Sequence, residues 1–143
     1  MKCISLQQPW ATLVVIGAKH FETRDWHTSY IGDLAIHASQ RFAEEARALC
    51  AREPFRSALA RAGYRQSADL PTGAVVGHVE LVECLPVATV LTLLQDTPEE
   101  LAFGDYRNAR WAWRLVGPRR LLEPKRCRGH LGLFDVPIQR LMF

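Results

Sequence analysis

Between Gly17 and Arg24 the chain reads Gly-Ala-Lys-His-Phe-Glu-Thr-Arg, so Lys19, Glu22 and Arg24 set charges of alternating sign beside an apolar run. If Gly17 ends a short helix and Phe21 begins a strand, Glu22 and Arg24 point to one side of that strand and Lys19 sits in the connecting turn. Three ionisable groups then converge. Lys19 and Arg24 so placed can contact phosphate, while Glu22 orients them or accepts a base amino proton. The same trio also suits hydrolysis, with Glu22 as general base for water and Lys19 stabilising the developing negative charge. A solvated turn carrying a surface ion pair, worth little energetically, is the bland alternative.

The elements that must position these groups follow from periodicity. Residues 2–6 alternate as a strand with Ile4 and Leu6 on one side, and Pro9 opens a helix along which Trp10, Leu13, Val14 and Gly17 recur at helical spacing. Trp10, just inside that helix, is a core residue or a stacking platform for a base. Residues 34–38 form another strand, with His37 opposite Leu34, Ile36 and Ala38, on the side where a groove could lie. Residues 41–52 and the piece carrying Phe55, Ala58, Leu59 and Ala62 read as two helices, ending at Gly63. With the polar loop up to Gly73 they form a helical insertion over about residues 40–73.

Residues 74–84 give the strongest strand signal, with Val75, Gly77, Val79 and Leu81 predicted on one face. Thr97-Pro98-Glu99-Glu100 has the composition of a capping box, which accounts for its acids without a functional role. In residues 109–116, Trp111, Trp113 and Leu115 alternate with Arg110 and Arg114, a pattern that suits a packed strand face or a nucleic-acid surface with Trp113 stacking a base. Residues 118–124 read as a basic, proline-bounded connection before a last glycine-punctuated strand at 129–136. These elements predict an α+β fold, a small mixed and mainly antiparallel sheet curled toward a barrel.

The 143 residues fit one domain, expected to span 1–143, and 48% apolar with 23% charged residues is ordinary for a soluble globular protein. No apolar run reaches membrane-spanning length and the first residues lack a signal-peptide pattern, so a cytoplasmic protein is expected. Cys3, Cys50, Cys84 and Cys127 stand singly, without Cys-x-x-Cys pairs or finger-spaced histidines; no metal and no cofactor is expected. The net charge of +3 conceals a basic C-terminal third, compatible with an anionic partner such as RNA.

Gly17-x-Lys19-x-x-Glu22-x-Arg24 resembles the signature of the ASCH domains, members of the PUA-like group of β-barrel folds. The helix from Pro9-Trp10, the strand Gly77-His78-Val79-Glu80-Leu81, the segment Ala112-Trp113-Arg114-Leu115 and Gly129-x-x-Gly132-Leu133 extend the resemblance nearly end to end. It implies a barrel with a cleft beside the signature and an association with RNA. Some small members of that family are amidohydrolases acting on N4-acetylcytidine, and others are described as ribonucleases. The amidohydrolase type joins a Lys, a Thr three residues later and a distant Glu. Lys19 matches that Lys, Glu22 stands where the Thr would be, and the distant Glu falls within residues 99–105. Three readings stay open: an RNA- or nucleotide-binding protein using Trp10, Lys19, Arg24, Trp113 and Arg114; a hydrolase using Lys19 and Glu22; and an interaction domain that the signature merely braces.

Overall fold

A computed structural model describes residues 1–137. Its strands are β1 (Lys2–Leu6), β2 (Phe21–Arg24), β3 (Gly32–Ala38), β4 (Ala74–Pro86), β5 (Trp111–Arg126) and β6 (Leu133–Asp135). Its helices are α1 (Trp10–Val15), α2 (Glu44–Leu49), α3 (Phe55–Arg61), α4 (Val87–Leu93) and α5 (Pro98–Phe103), with one 3-10 turn at Ser67–Asp69. The strands form one mixed sheet in the order β2-β5-β4-β3-β1-β6, parallel only between β1 and β3.

The sheet curls into a half-barrel. β2 and β1 stand four places apart in the strand order, yet the Arg24 guanidinium on β2 donates to the Ser5 carbonyl on β1 at 3.3 Å. Inside the curl lie Ile4, Leu6, Leu34, Ile36, Val79, Leu81 and Trp113, closed by Ala11, Val14 and Val15 of α1. The other side of α1 presents Leu13 to a second cluster, built with Phe55, Ala58 and Leu59 of α3 and with Phe103 of α5. α1 is therefore apolar on both sides, and Ala11, Thr12, Leu13, Val14 and Val15 are all buried. Its start is secured by Gln8, itself fully buried, whose amide oxygen accepts from the Thr12 N–H at 3.0 Å and whose amide nitrogen donates to the Pro71 carbonyl at 2.8 Å.

Two sequence expectations fail for the same physical reason. Residues 118–124, read as a connection, belong to β5, and Val75, expected beside Val79, packs on the opposite face with Cys3, Ala35 and Leu121. Against β3 a bulge at Val76 sets Val75 and Gly77 opposite the adjacent residues His37 and Ile36, and against β5 a further register shift falls between His78 and Glu80. Each bulge adds residues to one strand and reverses the inside-outside alternation, so Val76 joins the interior in place of Val75. Gly117, at a φ of 60°, and Pro118 sit in the second irregularity, where a missing ladder N–H is tolerated. The expected first strand, the helix after Pro9, the two helical pieces after residue 40 and the strand from Ala74 are all present. α4 had no counterpart among the sequence expectations.

Candidate functional site

α1 ends as its glycine predicts. Gly17 adopts a φ of +81°, and the Leu13 carbonyl accepts from the N–H groups of both Ala18 and Lys19 at 3.0 Å. Three residues later the chain is in β2, whose ladder with β5 places Glu22 opposite Trp113 and Arg24 opposite Trp111. Directly opposed residues share a face. Trp113 belongs to the interior cluster, so Glu22 and Arg24 point into the half-barrel mouth, while Phe21 packs outside against Val87, Val90 and Ala112.

The three signature charges do meet. Lys19 Nζ lies 3.7 Å from Glu22 Oε1, and Arg24 Nη1 lies 3.5 Å from Glu22 Oε2. Lys19 is only 2% exposed, and its ammonium also donates to the Phe21 carbonyl. Burial lowers its pKa, with the charges of Glu22 and then Glu100 opposing that shift. A direct phosphate contact from Lys19 does not fit a side chain so enclosed; its electrostatic effect reaches the surface through Glu22. Arg24 remains partly open, with a quarter of its side chain exposed (26%) and the guanidinium carbon 5.8 Å from the centre of the Trp26 ring. Its Nε is buried without a hydrogen-bond partner.

Glu100 is the residue that composition concealed. Its carboxylate does not complete a capping box at Thr97: it is buried and accepts from the backbone N–H groups of His20 at 2.7 Å and Phe21 at 3.3 Å. Thr97 instead donates its hydroxyl to the Leu94 carbonyl. Glu100 thus holds the turn that delivers Lys19 to Glu22. Tyr106 stands in the same field. Burial, then the charges of Glu100 and Glu22, push its phenol pKa upward, and its hydroxyl is buried without a partner. No spacing signal pointed to Tyr106.

Beside this cluster lies a cavity of about 360 Å³ lined by Trp10, Glu22, Arg24, Phe103, Asp105 and Arg110, among others. Trp10 is half-buried, edge-on to Phe55 of α3 at 6.4 Å. Asp105 is fixed by its N–H donating to Thr23 Oγ1 at 2.9 Å, and hydrogen bonds from Arg107 hold its carboxyl pKa down to about 2. Arg110 donates to the carbonyls of Asp105 and Thr23, both at 3.1 Å.

Two expected contacts are not in this cavity. Trp113 is wholly buried and meets Trp26 edge-to-face at 4.9 Å, leaving no ring face for a base. Arg114 lies on the outer side of β5, pairing with Glu83 at 3.0 Å, because residues of a strand alternate faces. The basic C-terminal third is likewise partly engaged within the fold, with Arg107 on Asp105 and Arg120 on the Ala62 carbonyl and Tyr64 hydroxyl. Among the described residues, no group of His, Cys, Asp and Glu has the arrangement of a metal site, and no helix is long and apolar enough to cross a membrane.

Comparison with known proteins gives consistent matches. The model of the ASCH domain family matches residues 4–125. Activating signal cointegrator 1 from Homo sapiens is 34% identical over 83 residues, as is the Mus musculus protein; the match covers 58% of this chain but only 14% of each relative. Among solved structures, ASCH from Zymomonas mobilis superposes with a TM-score of 0.59 at 15% identity, covering 98% of this chain and 90% of that one. A mutant of the same protein gives a TM-score of 0.58 at 15% identity over the same shares.

Proposed function

The chain belongs to the ASCH domain family, and from that premise we propose that it binds RNA or a nucleotide in the cavity at the mouth of the half-barrel. The observation that carries the proposal is the shared lining of one cavity by a partly open arginine, a carboxylate and a half-buried tryptophan: Arg24, Glu22 and Trp10. Arg24 supplies phosphate attraction, Glu22 accepts a base amino proton, and Trp10 offers an aromatic edge or face to an unstacked base. About 360 Å³ suits one small ligand group rather than a duplex. The helical segment of about residues 40–73, read as an insertion, contributes Leu49 and Phe55 to the wall.

Fluorescence anisotropy with a labelled single-stranded RNA tests this. Affinity falls with added salt, and Arg24→Ala weakens binding about tenfold, the range of one charge-assisted contact. Salt-independent affinity, or an Arg24→Ala variant that binds as wild type, overturns it.

The hydrolase reading rests on a separate observation, the buried ammonium of Lys19 3.7 Å behind a Glu22 carboxylate that faces the cavity. In it Glu22 takes the proton of an attacking water and Lys19 supplies positive charge from behind. Products from RNA and N4-acetylcytidine followed by mass spectrometry test it. Glu22→Gln that keeps full turnover removes Glu22 from that role.

A further inference from the structure

On the outer face of the sheet, across β1 from the interior core, Ser5 and His37 are direct partners in the parallel β1–β3 ladder. Ser5 Oγ lies 2.6 Å from His37 Nδ1, and His37 Nε2 lies 2.7 Å from the Cys127 carbonyl oxygen. A carbonyl can only accept, so Nε2 carries the ring proton and donates it. Nδ1 is left with its lone pair, and the Ser5 hydroxyl donates into it. Burial lowers the His37 pKa, which favours the neutral ring and leaves the Nδ1 lone pair available to accept.

The pair opens on a groove of about 770 Å³ distinct from the cavity beside Glu22, although Arg24 lines both. Arg128 and His130 line it as well, with no carboxylate among the described lining residues. Gly129 crosses directly above: a Cβ there would come within 2.8 Å of His37 Cε1 and 2.9 Å of Ser5 Oγ. A bare glycine lets the chain pass this close without a side chain covering the hydroxyl.

We infer that Ser5 and His37 form a nucleophile–base pair that takes an acyl group from an activated carboxylic ester bearing an anionic substituent. Ser5 Oγ attacks the ester carbonyl carbon while its proton passes to His37 Nδ1, and the carbonyl π electrons move onto oxygen. The resulting imidazolium is held by its Nε2–H bond to the Cys127 carbonyl. Arg24, whose Nη2 already lies 3.3 Å from the Ser5 carbonyl oxygen, is the cation at hand for the tetrahedral oxyanion. Collapse re-forms the carbonyl, breaks the bond to the leaving alcohol, and returns the proton from Nδ1 to that alcohol. Water then repeats the sequence on acyl-Ser5, releasing the carboxylate and restoring the hydroxyl. The anionic preference follows from Arg24 and Arg128.

The full chain is treated with a fluorophosphonate probe and the adduct located by peptide mass spectrometry. In parallel, hydrolysis of p-nitrophenyl acetate and of the monoanionic mono-p-nitrophenyl succinate is followed for wild type and Ser5→Ala. The expected results are one adduct on Ser5, faster hydrolysis of the succinate ester, and at least a tenfold loss of both rates in Ser5→Ala. Ser5→Cys supplies a second reading that does not depend on His37 variants folding. Iodoacetamide modifies position 5 of that variant at least tenfold faster than Cys84 or Cys127 if the imidazole activates it. No adduct on Ser5, rates unchanged by Ser5→Ala, or alkylation at position 5 no faster than at the other cysteines overturns the inference.

Discussion

Two polar constellations share Arg24 but are assembled on different physical terms. At the half-barrel mouth the groups are full charges, Lys19, Glu22 and Arg24, packed where desolvation is costly and each depends on its neighbours. Across β1 the groups are neutral, Ser5 and His37, tied by hydrogen bonds whose direction a carbonyl dictates. Buried charges are held by compensation, so deleting one leaves its partner stranded. The neutral pair is held by ladder register, so losing Ser5 removes one modest hydrogen bond and no charge is stranded, whereas losing His37 removes two. The charged region is therefore the more fragile, and the neutral region the more sensitive to protonation.

The sharpest way to break this comparison is Glu22→Ala. It leaves the Lys19 ammonium buried without its nearest carboxylate, and a loss of about 3–5 kcal/mol in denaturant unfolding is expected. Combining Lys19→Met with Glu22→Gln removes both charges and should restore most of that stability. If the double variant is no more stable than Glu22→Ala, compensation is not what holds the cluster.

Next in size is Glu100→Gln. The amide can still accept one hydrogen bond but forfeits charge-assisted bonding to the His20 and Phe21 N–H groups, at about 1–3 kcal/mol. Because Glu100 also sustains the charge of Lys19, RNA affinity should weaken with it. Unaltered melting and binding would detach Glu100 from the site.

The neutral pair is expected to respond less: Ser5→Ala costs about 0.5–1.5 kcal/mol. A loss as large as that of Glu22→Ala would erase the distinction between the two regions.

The smallest effect is with pH. The folded pKa values of His37 and His78 are both lowered from 6.5, chiefly by burial. Below pH 6.5 the unfolded chain takes up protons before the folded one does, so stability is full above 6.5 and declines as pH falls toward the folded values. Melting temperature should drop between pH 7.5 and 5.5, with a shallower slope in His37→Asn. An unchanged slope in that variant assigns the dependence elsewhere.

What the sequence disclosed follows the range of the interactions involved. Gly17, Lys19, Glu22 and Arg24 lie within one helix stop and one short strand, so their convergence was readable from local rules. Composition assigned Glu100 to a local motif, Thr97-Pro98-Glu99-Glu100, and only the family resemblance placed an acid of interest within residues 99–105; its actual partners, His20 and Phe21, are about eighty residues away. Trp113 and Arg114 were judged by residue type, and only pairing with β2 and β4 determines which face each occupies. The bulges at Val76 and at Gly117-Pro118 shift alternation by one, and a period of two cannot reveal where it is interrupted. His37 was legible as lying opposite the core, but its partnership with Ser5 required the parallel register.

The placement of β2 also sets an order of events during synthesis. Its ladder partner is β5, so residues 21–24 have no strand to join until residues 111–114 have left the ribosome. Their second anchor, Glu100, emerges only shortly before. β1, β3 and β4 can pair while the signature is still waiting, and such distant pairings are the slow steps of folding. The nascent chain thus carries its defining motif well before the partner strand, and the cavity wall at Asp105 and Arg110 beside it, have been made.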